Sequence, residues 1–331
     1  MLKNINLHRK IYFIILPLLL IASVLISISA GAVDVSIKSI ISVLTGNDNG
    51  LNHTLIWDIR IPRTLVAGCV GIALSLSGAT LQGIMKNSLA SPNIIGVSSG
   101  AGLAAVIILI LFPDEMYLLT PVAFLGALFA TLLIFAMAWR GGLEPLRLIL
   151  SGVAVSAFLG AGISGLMIFF PDRVDGVINF MIGGLSTRSW SHFNILWPYV
   201  SAGLLILIIM AEKLNLLMLG DETARSLGLK VEQTRIIFIA VAALLAASSV
   251  SVAGLLGFVG LIVPHAARLM VGSNYKYLFP ASALLGGTIV ILCDTIARKV
   301  LEPVELPVGI IMALLGGPFF LYLLRGGLKN D

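Results

Sequence analysis

The sequence predicts an all-α polytopic membrane protein of about ten transmembrane helices, with the N- and C-termini both in the cytoplasm. Three observations carry this. The chain of 331 residues is 58% hydrophobic and 11% charged, with a mean hydropathy of +1.06; a soluble domain is about 25% charged. Its apolar residues fall in runs long enough to cross a bilayer, broken by short segments rich in Gly, Pro and charge. Finally, the basic residues are unevenly shared. With the termini inside, 14 of the 21 Lys and Arg lie in inner segments and 7 in outer ones, as the positive-inside rule requires. Residues 1–331 read as a single transmembrane domain. The net charge of +5 is scattered over short loops, which argues against a nucleic-acid partner and for a lipid bilayer. Cys69 and Cys293 lie in apolar runs, and the four histidines are far apart, so neither a disulfide nor a metal site is expected.

The first span is Ile11 to Ala30, behind the basic Lys3, Arg9 and Lys10. Ala30-Gly31-Ala32 resembles a signal cleavage site, but the apolar run is long and more spans follow, which favours an uncleaved helix. Gly31 to Asp58 lies outside, with a short surface helix over Ser36 to Leu44. Pro62 suits the first turn of span two, Arg63 to Met85, and Gln82 to Pro92 turns on the inner side. Span three (Asn93 to Phe112) is stopped by Pro113-Asp114-Glu115. Span four is Leu118 to Ala138 and span five, Leu148 to Phe170, is glycine-rich and uncharged. Pro171 to Trp190 is an outer loop. Then come span six (Phe193 to Ala211), span seven (Gln233 to Ala253), span eight (Leu255 to Met270), span nine (Leu278 to Ala297) and span ten (Pro307 to Leu324).

The most informative polar interruption is Leu214 to Leu229. Leu214 to Leu219 reads as a short apolar piece. Gly220 precedes Asp221 and Glu222, which suit the positive end of a helix dipole. Arg225 follows Asp221 by four residues, at ion-pair spacing, and Gly228 is placed to end the helix in a left-handed conformation. An apolar patch beside a charged short helix suggests a docking surface; the plainer alternative is a solvated loop.

Other motifs are weaker. Gly96-Val97-Ser98-Ser99-Gly100 fits a nucleophile elbow that His265 would complete, giving an intramembrane serine hydrolase. Such an elbow needs a strand-to-helix turn, whereas this one opens a membrane helix. Gly96 and Gly100 fit better as a small-residue packing face. Gly100 to Ala105 matches a loose dinucleotide fingerprint with no strand before it. Asp294 is the one acid well inside a span, with Arg298 one turn on, so an ion pair at the helix end is the simple reading. An ion-coupled secondary transporter would carry more mid-membrane titratable groups. Arg60 and Arg63 flank a helix start, where the dipole disfavours cations. They either serve a partner or snorkel and pair with Asp58 and Asp294.

Ordered motifs from span two to the C-terminus give a specific resemblance. They are Arg60-Ile-Pro-Arg63, Gly78-Ala-Thr-Leu-Gln82-Gly, Asn87-Ser-Leu-Ala-Ser-Pro-Asn-Ile-Ile-Gly96, Asn215 to Gly228, Gly257-Phe-Val-Gly260 to Arg268, Asp294-Thr-Ile-Ala-Arg298 and Glu305-Leu-Pro307. The sequence resembles the FecCD permeases, the membrane subunits of ABC importers for ferric siderophores, haem and cobalamin, with a minority carrying oxyanions. Ser88 departs from the family's usual proline, which bears on the stiffness of that turn.

The resemblance implies a type II ABC importer permease architecture in the bacterial cytoplasmic (inner) membrane. It implies a dimer with itself or a paralogous permease, two ATP-binding cassette subunits below and an extracytoplasmic substrate-binding protein above. Leu217, Gly220, Asp221, Glu222, Arg225 and Gly228 then correspond to coupling residues, in helices over about 214–229. Asn87, Leu89, Glu144 and Pro145 correspond to a cytoplasmic gate, and Arg60, Arg63 and Arg298 to binding-protein docking. Spans five and ten would line the pathway. The chain has no Walker-type phosphate loop, so no catalytic residue and no cofactor is expected in it; ATP and Mg belong to the partner ATPase.

Overall fold

The computed structural model describes residues 2–31, 35–46, 50–139 and 145–327, and among these the chain is helical with no strand. The helices are α1 (Leu2–Ser29), α2 (Ile37–Leu44), α3 (Leu51–His53), α4 (Ile61–Ile84), α5 (Val97–Leu111), α6 (Leu119–Ala138) and α7 (Pro145–Phe169). They continue with α8 (Val174–Ile182), α9 (Trp190–Met218), α10 (Asp221–Ser226), α11 (Val231–Ala253), α12 (Val259–Val271), α13 (Tyr275–Lys299) and α14 (Val308–Gly327). Among the described residues seven helical stretches are long and apolar enough to cross a membrane, and three shorter apolar helices accompany them. Each predicted span falls on one of these.

Burial separates a centre from a periphery. The apolar stretches containing α4 and α11 are 83% and 78% buried inside the protein, against 22% for α1 and α7. Helix α4 packs against α13, α11, α9 and α12, α5 pairs with α6, and α1 lies on α13. Backbone contact through glycine makes the centre this tight. A Cβ on Gly71 would stand 2.1 Å from the Gly286 carbonyl oxygen, and one on Gly78 only 1.8 Å from that of Gly260. Small residues let helices approach closely where lipid offers no hydrophobic drive for association. Gly100, read as a packing residue, meets Gly126 and Ala130 of α6 in the same way.

Several local expectations are corrected. Span two begins earlier, because α3 runs through a π turn at Thr54–Arg60 into α4. Pro62 cannot donate and its ring crowds the preceding turn, so a widened turn ahead of it keeps the helix continuous. Leu214 to Leu219 is not a separate piece, since α9 continues unbroken to Met218. The loop Pro171 to Trp190 contains α8. Span eight starts later, at Val259, behind a non-helical segment with Gly254 and Phe258 at φ +74° and +64°. That segment is tied to α8: Leu255 N–H donates to the Phe180 carbonyl at 3.0 Å, and Gly184 N–H to that of Ala253 at 2.9 Å. Non-helical backbone at membrane depth is tolerated when it is satisfied inside the protein in this way.

The two ends of the bundle differ. One carries the 85–92 turn, α10 and the starts of α1 and α13, where Arg9 stacks over Tyr277 at 4.9 Å. The other carries α2, α8 and an aromatic group in which Trp190 donates Nε1–H to the Trp57 carbonyl at 2.9 Å. Aromatic rings of this kind mark a membrane–water interface.

Candidate functional site

At the aromatic end, Arg60, Arg63 and Arg298 converge. All three are buried, at 4%, 5% and 6% relative exposure. Arg63 grips Asp294 through Nε and Nη2, each at 3.0 Å, and donates Nη1–H to Glu305 at 2.8 Å. Arg298 Nε lies 3.4 Å from Asp294, one helical turn away, as the spacing predicted. Arg60 donates to the carbonyls of Ile28 and Ser29, at 2.8 and 3.0 Å. Arg298 donates to those of Ser27 and Ala30, at 3.1 and 3.3 Å. These are the orphan carbonyls at the C-terminus of α1, the negative end of its dipole. Docking through the arginines themselves required exposed guanidinium groups, and here they are turned inward. Their charge is used to fasten α1, α4 and α13 together.

Beside this cluster opens a cavity of about 320 Å³, walled by Asn179, Ser186, Thr187, Arg188, Glu305 and the apolar Phe180 among others. Arg188 has no salt bridge among the described residues. Its Nε is buried without a hydrogen-bond partner, and Nη1 reaches only the Thr187 hydroxyl at 3.4 Å. Burial pushes its guanidinium pKa down from the usual value. Sequence reading counted Arg188 only as one of the outer basic residues, and no local spacing marks it.

At the opposite end, Gly220 enters α10 at φ +110° and Gly228 leaves it at φ +82°, the left-handed exit predicted. The predicted Asp221–Arg225 pair does not form. Asp221 instead accepts from Arg235 of α11 at 2.9 and 3.0 Å, and Arg225 faces Glu232 at 3.6 Å. Arg235 of α11 takes the Asp221 carboxylate in place of Arg225. Leu217 is buried against the core, while Met218, Leu219 and Leu227 are exposed. Glu222 and Arg225 are exposed as well.

The 85–92 turn is closed by a helix-ending motif: Asn87 N–H donates to Gln82 O at 3.1 Å and Lys86 N–H to Gly83 O at 3.2 Å. Lys86 takes the left-handed position, φ +48°, that glycine usually fills. Asn87 Oδ1 accepts from Leu89 N–H at 2.8 Å, so the turn is closed with Ser88 in place of proline. Asn87 and Leu89 are both exposed. Glu144 lies outside the described residues. Pro145 opens α7.

Ser98 and His265 are not brought together. Ser98 donates its hydroxyl to Asn93 Oδ1 at 2.5 Å, and His265 sets its ring edge-on to Phe319 at 5.8 Å between centroids. A groove of about 520 Å³ runs along α14, lined by residues such as Gly257, Phe258, Gly309, Ala313 and Leu314. Beyond it, Gly317 of α14 and Gly160 and Gly165 of α7 face open space. No cluster of metal-ligating side chains occurs among the described residues.

These features define a multi-pass membrane transport protein. The FecCD transport family matches residues 19–326, and the chain belongs to it. It is 40% identical over 313 residues to the Fe(3+)-citrate import system permease protein YfmE of Bacillus subtilis, covering 94% of each chain. The cobalamin import system permease protein BtuC of Halobacterium salinarum is 43% identical over 274 residues, 82% of this chain and 74% of that one. The hemin transport system permease protein HmuU of Yersinia pestis is 35% identical over 317 residues, 93% of each. Among solved structures, one described as an inward-facing conformation of a metal-chelate type ABC transporter superposes with TM-score 0.86 at 32% identity. It covers 96% of this chain and 99% of that one.

Proposed function

We propose that this protein is the membrane-spanning permease subunit of an ATP-driven ABC importer that carries a metal chelate into the cytoplasm. The class comprises ferric siderophores including ferric citrate, haem and cobalamin. The observation that carries it is the contrast between a glycine-welded centre and the open, uncharged faces of α7 and α14. A surface of small and apolar residues passes a bulky chelate without trapping it, and a paired copy across that surface completes the pathway. The one acid well inside a predicted span, Asp294, is committed to arginines, which argues against its serving as a proton carrier.

In this reading all ten apolar helices cross the bacterial cytoplasmic membrane, and both termini lie inside. The permease pairs with itself or a paralogue. Two ATP-binding cassette subunits, which hold ATP and Mg, dock beneath α10 on its exposed Glu222 and Arg225 and on the flanking Met218, Leu219 and Leu227. The Asn87–Leu89 turn, with Glu144 and Pro145, narrows the cytoplasmic mouth. An extracytoplasmic binding protein meets the outer end, and Arg60, Arg63 and Arg298 contribute by setting the shape of that surface. Reconstitution of the permease with its ATPase and binding protein in liposomes tests this. ATP-dependent accumulation of iron-loaded chelate is expected. Uptake that follows an imposed ion gradient and ignores ATP would overturn it.

A further inference from the structure

We propose that the outer cavity beside Arg188 is a carboxylate-binding site, which receives a carboxylate arm of the incoming chelate as it leaves its delivery protein. The three buried arginines at this end all have strong partners: Arg60 and Arg298 donate to carbonyls, and Arg63 to two acids. Arg298 Nε likewise makes no hydrogen bond, but it lies 3.4 Å from the Asp294 carboxylate. Arg188, its Nε buried and unbonded at the wall of a 320 Å³ cavity, is the one of these four with no carboxylate or carbonyl partner among the described residues. A guanidinium fork fits a carboxylate through two parallel hydrogen bonds, which is what such an orphan lacks.

The remaining wall suits the same ligand. Asn179 offers amide donors, and Ser186 and Thr187 offer hydroxyls. Glu305 also borders the cavity, but its carboxylate is engaged by Arg63 at 2.8 Å, so its charge is offset. Phe180 and neighbouring apolar residues close the floor. The volume sits at the lower end of small-ligand pockets, so it admits a small polycarboxylate or one arm of a larger complex. The inference rests on the importer reading for its physiological role, and it narrows the cargo to chelates with free carboxylates, of the ferric citrate kind.

The full-length chain in lipid nanodiscs is titrated with iron-labelled ferric citrate, with free citrate and a neutral ferric trihydroxamate as competitors. Wild type is expected to bind saturably, with competition from citrate and none from the neutral chelate. Arg188→Gln should weaken binding at least tenfold, and Arg188→Lys should restore part of it. Arg188→Gln should melt close to wild type, because it removes a group with no ion-pair partner and a single long hydrogen bond to Thr187, so lost binding is separable from lost fold. Equal binding by wild type and Arg188→Gln overturns the proposal. So does failure of wild type to bind ferric citrate while Arg188→Gln weakens capture of the delivery protein, since the carboxylate is then a protein side chain. Binding by the isolated chain needs neither ATP nor partners, so this site and the importer reading fail independently.

Discussion

Arg63 and Asp294 are 231 positions apart and hold each other through two parallel hydrogen bonds of 3.0 Å. Asp294 is 1% exposed and also lies 3.4 Å from Arg298, so one carboxylate is shared between two buried cations. Removing one member of a buried pair costs about 3–5 kcal/mol, because the partner charge is left behind. Asp294→Ala should therefore lower the unfolding temperature in detergent sharply and reduce folded yield. Arg63→Glu and Arg298→Glu should do the same with no binding protein present. Normal melting of these variants, with weakened docking alone, would show that the arginines act by direct contact instead.

The glycine contacts around α4 make a second expectation. At Gly78 an added methyl meets the Gly260 carbonyl carbon and oxygen at 2.5 and 1.8 Å, both backbone. Overpacking of this kind costs about 1–3 kcal/mol. Gly78→Ala should be clearly destabilised, whereas Gly160→Ala, with open space around it, should melt close to wild type. Equal melting of the two would mean that α4 and α12 separate without penalty.

Arg225 tests the coupling role. Its ion pair with Glu232 is long, 3.6 Å, and exposed, and such pairs contribute ~0–1 kcal/mol. Arg225→Glu should leave stability nearly unchanged yet reduce ATP-driven uptake, because a reversed charge at a desolvated interface costs about 2–5 kcal/mol. Uptake and ATPase co-purification both at wild-type level would remove α10 from the interface.

The gate is tested by disulfide trapping. In a background lacking Cys69 and Cys293, Asn87→Cys or Leu89→Cys should crosslink across a permease dimer in one nucleotide state and less in another. A disulfide requires Cα atoms within about 7 Å, so yield reports approach of the two turns. No crosslink at either position in any nucleotide state would move the constriction elsewhere.

Long spans were legible because twenty apolar residues leave little else to form, and Gly220 and Gly228 marked the bounds of α10 through their backbone freedom. Long-range pairing was not. Asp221 and Arg225 had the spacing for an ion pair, but Arg235, 14 positions from Asp221, took the acid; spacing along one helix says nothing of a neighbouring helix. Leu217 looked like part of an exposed patch because the end of α9 was placed too early. Helix α8 was invisible, being nine residues inside a loop with Gly, Pro and Asp around it. The burial of Arg60, Arg63 and Arg298 was legible only as an alternative, since outer charge reads as exposed until the end of α1 is seen to need donors. Arg188 stood out only once its lack of partners was known.

The uneven spacing of helices also says where such a protein can change over generations. Along α4 the backbones already touch, so sequence drift there is confined to substitutions that add no atoms. Gly160, Gly165 and Gly317 have nothing within 4 Å of an added Cβ, so α7 and α14 can accept larger or differently shaped side chains one at a time. A lineage can thus acquire a new cargo by remodelling the lining, while the frame it inherited stays as it was.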